Sequence, residues 1–265
     1  MPGPSFENQA KRRLQEGGLV LCMGLRQART VDIAMIAAAC GFDSFYVDME
    51  HSPISHETAS ALCVAAIGLG LTPIVRVPSH LGHDATRILD GGALGLIVPH
   101  VNNRAEAEAM VQACKYPPLG HRSVSGPGPA VGYLPLPLAE VNQRGNDQTL
   151  LVLMLETPEG IANADAIAAV PGIDVLLIGS NDLCTELGVP GQLRHAKLRE
   201  AHECVALACR KHGKIFGIAG LSADFELQAE FIRMGARFVM TGSEVSYLAA
   251  AARKDAERLR GIKLD

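Results

Sequence analysis

Tryptophan is missing from all 265 residues, and aromatic residues amount to only 4%. The chain therefore has little from which to build a stacking platform for bases or sugars. No two of its seven cysteines have the C-x-x-C spacing of zinc or redox sites. The 24 Lys and Arg are outnumbered by 28 Asp and Glu, for a formal charge of −4. Neither nucleic acid nor a membrane is an expected partner at that balance. No apolar run approaches the ~20 residues of a membrane span. The polar segment Met1–Gly18 lacks the apolar core of a signal peptide. G-x-S-x-G is absent, and no G-x-G-x-x-G follows the first strand, which counts against a dinucleotide fold. Lysine is scarce in the apolar strands, where only Lys214 begins one. A Schiff-base mechanism needs a desolvated lysine, so that route is disfavoured.

What the chain does have is material for a core. Hydrophobic residues make up 48% and charged residues 20%, outside the range of disordered chains. Most cysteines sit among apolar residues, which suits small buried thiols in a reducing, cytoplasmic setting. Short apolar runs alternate with helical patterns. LVLCMG at 19–24, SFYVDME at 44–50, PIVRVP at 73–78 and GLIVPH at 95–100 read as the first four strands. A long Gly/Pro segment, 116–137, interrupts the rhythm. LLVLMLE at 150–156, DVLLIGS at 174–180, KIFGIAG at 214–220 and FVMTG at 238–242 complete eight. Helices are expected over 31–40, 56–68, 84–90, 104–115, 161–170, 198–212, 224–234 and 245–259. Near-continuous apolar strands are what a parallel sheet covered on both faces requires. Eight strand–helix units in roughly 250 residues fit a TIM (β/α)8 barrel, here a single domain over 1–265. An open doubly wound sheet is the alternative.

In such a barrel, active sites form at the C-terminal ends of the strands. Several strands here end in groups that are costly to bury alone. The second ends in Asp48, Glu50 and His51, the third carries Arg76, the fifth ends in Glu156, and the sixth leads to Asp182. Glu156 and Asp182 lie 26 residues apart, about one strand–helix unit. Carboxylates on successive strand ends can share a hard octahedral cation such as Mg²⁺ or Mn²⁺. Equally, Glu156 and Asp182 can be caps of the turns that follow them. His51 reads as a general base beside carboxylates, or as a polar helix-entry residue. Arg76 reads as an anion or enolate holder, or as the partner of Asp48 or Glu50. His100 is a further ligand or a hydrogen-bonded structural histidine. Asp90, on sequence alone, reads as a helix-end residue.

The segments VDMEHSPIS, PIVRVP, ILDGGALGLIVPHV, YPPLGHRS, LETPEGIANADAIAAVPGIDVLLIGSNDL and GARFVMTG resemble the HpcH/HpaI-type metal-dependent class II pyruvate aldolases. The resemblance runs from about residue 19 to residue 248. It implies a phosphoenolpyruvate/pyruvate-type barrel, commonly a hexamer with the last helix swapped between subunits. It implies Glu156 and Asp182 as ligands of Mg²⁺, Mn²⁺ or Co²⁺, and His51 as the base. Arg76 would steady the enolate, Asp90 would raise the basicity of His51, and Asn181 would offer its backbone to substrate. Asp48 and Glu50 would support the site. The implied reaction is reversible aldol cleavage of a 4-hydroxy-2-oxo acid to pyruvate and an aldehyde, through a metal-bound pyruvate enolate. A CoA-thioester lyase of the malyl-CoA or citryl-CoA type and a non-catalytic barrel are the rival readings.

The chain departs from the family pattern at substrate positions. Met154 stands where the family usually has Gln, and Ser180 and Asn181 stand where it usually has Pro-Ala. A thioether in place of an amide predicts a less polar pocket. Met154→Gln is expected to shift preference toward polar aldehydes such as glyceraldehyde, read as a ratio of kcat/KM values; an unchanged ratio refutes the assignment.

Overall fold

The computed structural model describes residues 7–82 and 84–264. Within them the eight strands form one closed parallel barrel in chain order. They are β1 (Val20–Leu25), β2 (Ser44–Asp48), β3 (Thr72–Arg76), β4 (Gly95–Val98), β5 (Leu150–Leu155), β6 (Val175–Gly179), β7 (Ile215–Ala219) and β8 (Phe238–Ser243). A helix follows each strand, so the architecture is the expected TIM-type α/β barrel. The ring closes with Val20 of β1 beside Phe238 of β8.

The alternation of side chains explains why the strands read as continuous apolar runs. In β5, Leu151, Leu153 and Leu155 pack in the layer beneath the helices. The intervening Leu150, Val152 and Met154 fill the barrel with Val20, Cys22, Ile74, Ile97, Leu177 and Phe238. Both faces are dry, so neither parity can be polar.

Four features differ from the expectation drawn from sequence, one of them a short helix, Ser180–Glu186, directly after β6. The polar N-terminal segment contains a helix, Gln9–Gln15, whose Ala10 and Leu14 enter the barrel-interior cluster and stopper its floor. Asn8 caps it, accepting the Lys11 N–H at 2.9 Å. Another unforeseen helix, Leu138–Gln148, follows the Gly/Pro segment, whose only regular piece among the described residues is a 3-10 turn at Pro129–Val131. The single helix expected over 161–170 is two short ones, Pro158–Ala162 and Ala164–Ala168. Asn163 sits at their junction and donates to the Asn102 carbonyl oxygen at 2.8 Å.

The barrel floor also buries ammonium groups. Lys11 pairs with Asp174 at 2.9 Å and donates to the Thr149 carbonyl oxygen at 2.9 Å. Lys115, 1% exposed, donates to the carbonyl oxygens of Thr149 at 2.8 Å and Asn146 at 2.9 Å, and among the described residues has no carboxylate in ion-pair contact. Burial, reinforced by the charge of Lys11, pushes the Lys115 pKa down to about 8. A cation that is easier to deprotonate folded than unfolded weakens the fold at low pH, and the penalty is relieved as pH rises from about 8 toward ~10.4. Raising pH from 7.5 to 10 is therefore expected to favour the parent chain over Lys115→Met by about 2 kcal/mol. Denaturant melts of both proteins at the two pH values check this; parallel pH profiles refute it.

Candidate active site

The strand alternation that fills the barrel also sets its mouth. Continuing two residues at a time from the interior positions leads from Tyr46 to Asp48, from Ile74 to Arg76 and from Met154 to Glu156. The same step from Leu177 reaches Gly179, where any Cβ would run into Oε1 of Glu156. Gly179 is thus the space that the Glu156 carboxylate occupies. The mouth is a cleft of about 300 Å³, lined by Arg26, Tyr46, His51, Arg76, Met154, Glu156, Ser180, Asn181 and Asp182 among others.

A chain of charges crosses this mouth. Asp48 is fully buried and receives the Arg76 fork, Nε to Oδ1 at 3.1 Å and Nη2 to Oδ2 at 2.7 Å. Burial alone would raise the Asp48 pKa; the hydrogen bond and charge of Arg76 overcome it and hold that carboxyl below the usual range. The remaining Arg76 nitrogen, Nη1, lies 3.1 Å from Glu50 Oε2. Glu50 Oε1 is 3.3 Å from His100 Nε2, and His100 Nδ1 is 3.3 Å from Glu156 Oε2. The His100 backbone N–H donates to the same Glu156 oxygen at 3.0 Å. His100 holds a left-handed backbone, φ 54°, a conformation uncommon outside glycine. It therefore joins the carboxylates of Glu50 and Glu156, which is the hydrogen-bonded structural histidine of the two readings from sequence.

His51 is half-exposed in the cleft, its Nε2 3.6 Å from Glu50 Oε2. Asp48 Oδ1 accepts the backbone N–H groups of Glu50 at 3.2 Å and His51 at 3.0 Å, which fixes the turn presenting the imidazole. Arg76 thus has both carboxylates as partners, as its internal-pair reading required, and still lines the cleft.

Glu156 is 1% exposed. Its pKa is pushed up to about 7, first by burial; His100 opposes this, while Asp182 and Glu50 add to it. Glu156 is not the cap of the next helix, because the Thr157 hydroxyl takes that place on the Gly160 N–H. Asp182 lies in the first turn of the helix Ser180–Glu186 and is exposed to the cleft. A buried carboxylate short of positive charge, beside a second carboxylate, suits a divalent cation. Among the described residues no three His, Cys, Asp or Glu side chains form a ready metal cage. Glu156 and Asp182 would supply two oxygen donors, leaving the other positions to water and substrate, as hard cations accept.

The serine of the Ser-Asn departure has a structural account. Ser180 is buried, with its Oγ 3.4 Å from His202 Nε2. Burial pushes the His202 pKa down to about 4, so the ring is neutral. Its Nδ1–H donates to the Leu198 carbonyl oxygen at 2.8 Å, leaving Nε2 to accept the Ser180 hydroxyl. The ring stacks on Phe231 at 3.9 Å.

Asp90 is not brought into the cluster. It pairs with Arg122 at 2.6 Å beside a separate cavity of about 40 Å³. Within this chain the carboxylates near His51 are Asp48 and Glu50 instead. Arg26 escaped the sequence reading altogether; its one signal was its place directly after the first apolar strand.

Comparison with known proteins places the chain in a family. The HpcH/HpaI aldolase/citrate lyase family model matches residues 25–251. A 4-hydroxy-4-methyl-2-oxoglutarate aldolase of Hapsidospora irregularis is 40% identical, covering 98% of each chain. A hydroxypyruvate/pyruvate aldolase of Pseudomonas aeruginosa is 34% identical over 96% of this chain and 93% of its own. The crystal structure of an HpcH/HpaI aldolase from Desulfitobacterium hafniense superposes with a TM-score of 0.91 at 30% identity, covering 96% of this chain and 97% of that one.

His100→Ala removes the side-chain tie on Glu156 and leaves its carboxylate held by the backbone N–H of residue 100 alone. It is expected to weaken Mn²⁺ affinity roughly 10–100-fold. Calorimetric titration of both proteins with Mn²⁺ tests this; unchanged affinity would mean that the backbone contact alone holds Glu156.

Proposed function

The chain belongs to the HpcH/HpaI aldolase/citrate lyase family, and we propose that it cleaves a 4-hydroxy-2-oxo acid reversibly to pyruvate and a carbonyl fragment in the cleft at the barrel mouth. Membership makes it a class II aldolase, a carbon–carbon lyase; the substrate and the roles of individual residues are our reading. One observation carries that reading: Arg76, His51, Glu156 and Asp182 line a single cleft at the strand ends. A divalent cation such as Mg²⁺, Mn²⁺ or Co²⁺, held by Glu156 and Asp182, would polarise the 2-oxo group as a Lewis acid.

The chain's own groups divide the remaining work. Arg76 is locked by Asp48 and Glu50, so its guanidinium meets negative charge developing on the 2-oxo oxygen without reorganising. His51 takes the proton of the 4-hydroxyl. The C3–C4 bond then breaks, its electron pair passes to C3 as the pyruvate enolate, and C4 leaves as a carbonyl. The protonated His51 returns a proton to C3, and condensation runs the same steps in reverse. Ser180, Asn181 and Met154 line the substrate space. Asp90 has no part in a site built from one chain.

The cations among the cleft-lining residues are Arg26 and Arg76, with no lysine. That favours a small 2-oxo acid over a nucleotide-bearing thioester. The same reading makes this single-domain chain one copy of a homo-oligomer, of six subunits as the family resemblance implies. Val245, Leu248 and Leu259 share a stripe on the helix Glu244–Arg260, none of whose residues is buried, and a second copy would cover it. Five buried, unpaired cysteines suit a reducing, cytoplasmic setting.

Proton exchange at the pyruvate methyl in D₂O, followed by NMR, tests the proposal without choosing an acceptor. Exchange is expected with Mg²⁺ or Mn²⁺, to be abolished by EDTA, and to fall by about 100-fold or more in Glu156→Ala and His51→Ala. Exchange that survives both substitutions would refute the assigned roles.

A further inference from the structure

Tyr46 lines the cleft, yet the reaction just described gives it no task. It is one of four barrel-interior residues on the floor of that cleft, with Met154, Ala219 and Met240. Thioethers and a methyl group are poor hydrogen-bonding partners, so the polarity of these four side chains rests on the Tyr46 hydroxyl. The residue is only 8% exposed, and among the described residues its hydroxyl has no hydrogen-bond partner. A tyrosine hydroxyl at that depth usually has one. The cleft is where a partner can arrive.

The place of the ring is built into the sheet. Tyr46 stands beside Gly24 of β1 in the strand register. A Cβ at position 24 would lie 2.9 Å from the Tyr46 hydroxyl oxygen and 3.0 Å from Cζ. Glycine weakens a strand, and here it marks a close approach: the missing side chain is the room the phenol fills. The Arg76 guanidinium carbon stands over the ring, 5.6 Å from its centroid. The end of β1 is itself fixed. Glu244, the first residue of the last helix, accepts the N–H groups of Arg26, Gln27 and Ala28 on one carboxylate oxygen, at 2.7, 2.6 and 3.0 Å. Burial pushes the Tyr46 pKa up to about 12, against the opposing charges of Arg76 and Arg26. The phenol thus keeps its proton at neutral pH and acts as a donor, not a base.

Its position decides which substrate atom it meets. In the closed eight-strand ring, β5 and β6 stand across the mouth from β1 and β2. A substrate whose 2-oxo acid end meets Glu156 and Asp182 extends C4 toward β1 and β2. Tyr46 lies on β2, with its hydroxyl against β1, and His51 follows β2.

We propose that the Tyr46 hydroxyl donates a hydrogen bond to the oxygen on C4 of the substrate. The inference rests on the aldolase reading of the same cleft and adds a catalytic residue to it. In cleavage, His51 takes the C4 hydroxyl proton, and Tyr46 steadies the negative charge on that oxygen until the C3–C4 bond breaks and the carbonyl forms. In condensation the same hydrogen bond polarises the incoming carbonyl. The phenol keeps its own proton in both directions.

Tyr46→Phe deletes the hydroxyl and keeps the ring against Gly24. Condensation of pyruvate with glyoxylate, and separately with glycolaldehyde, is expected to fall about 100-fold in this variant, chiefly in kcat. Metal-dependent proton exchange at the pyruvate methyl involves no C4 oxygen and is expected to be unchanged. Gly24→Ala, which claims the space of the hydroxyl, is expected to show the same split at smaller size; should Tyr46→Phe fail to fold, it decides. A merely structural tyrosine would lower both reactions together. Parallel losses, or condensation unmoved by either substitution, overturn the proposal, as does a parent chain that exchanges protons and condenses with neither aldehyde. A parent chain without exchange sinks the aldolase reading and this inference with it.

Discussion

The buried pairing of Asp48 with Arg76 is the interaction on which the mouth of this barrel depends. Neither ion is affordable alone at the end of an apolar strand. Joined by a two-point fork, they form a neutral, rigid unit between β2 and β3. Everything else is measured from it. The same Asp48 oxygens hold the turn that presents His51 and the guanidinium of Arg26, and the free edge of Arg76 draws in Glu50. Glu50 reaches His100, and His100 reaches Glu156. Positions on β2, β3, β5 and the turn after β4 are thus set relative to one another by charge as well as by backbone.

This arrangement is inexpensive to build because the barrel already sorts residues by parity. The positions whose side chains fill the interior lower down become the functional positions one step higher, with no change in backbone geometry. Size matters at the top layer as well as charge. Glycine at 179 lets a neighbouring carboxylate lie flat across β6, and the buried Ser180 finds a neutral imidazole in His202. Ser180 thus makes a small polar contact inside the wall of the cleft.

Much of this was legible in the sequence, and the failures have physical causes. Strand positions came within about two residues because both faces of each strand are dry and the apolar runs are unmistakable. The helices Gln9–Gln15 and Leu138–Gln148 were hidden because each buries only one or two apolar residues through a polar surface. Asp48, Glu50, Arg76 and Glu156 could be placed at one mouth from strand ends alone. The pairing of Asp90 with Arg122 could not be read, since Arg122 lies in a loop whose path no periodicity describes. His100 joins two carboxylates through a left-handed turn that its sequence does not announce. Arg26 carries no motif; its meaning comes from contacts with residues up to 218 positions away.

That last distance has a consequence for how the protein comes into being. The amides of residues 26–28 emerge early in synthesis, but the carboxylate that binds them belongs to residue 244. The partner strand that closes the ring beside β1 is equally late. A nascent chain can pair its second strand with its first and its third with its second while it is still being made, yet the rim around Arg26 stays unfinished until nearly the whole chain is free. Of all the parts of the cleft, the rim that carries Arg26 is the last to take shape.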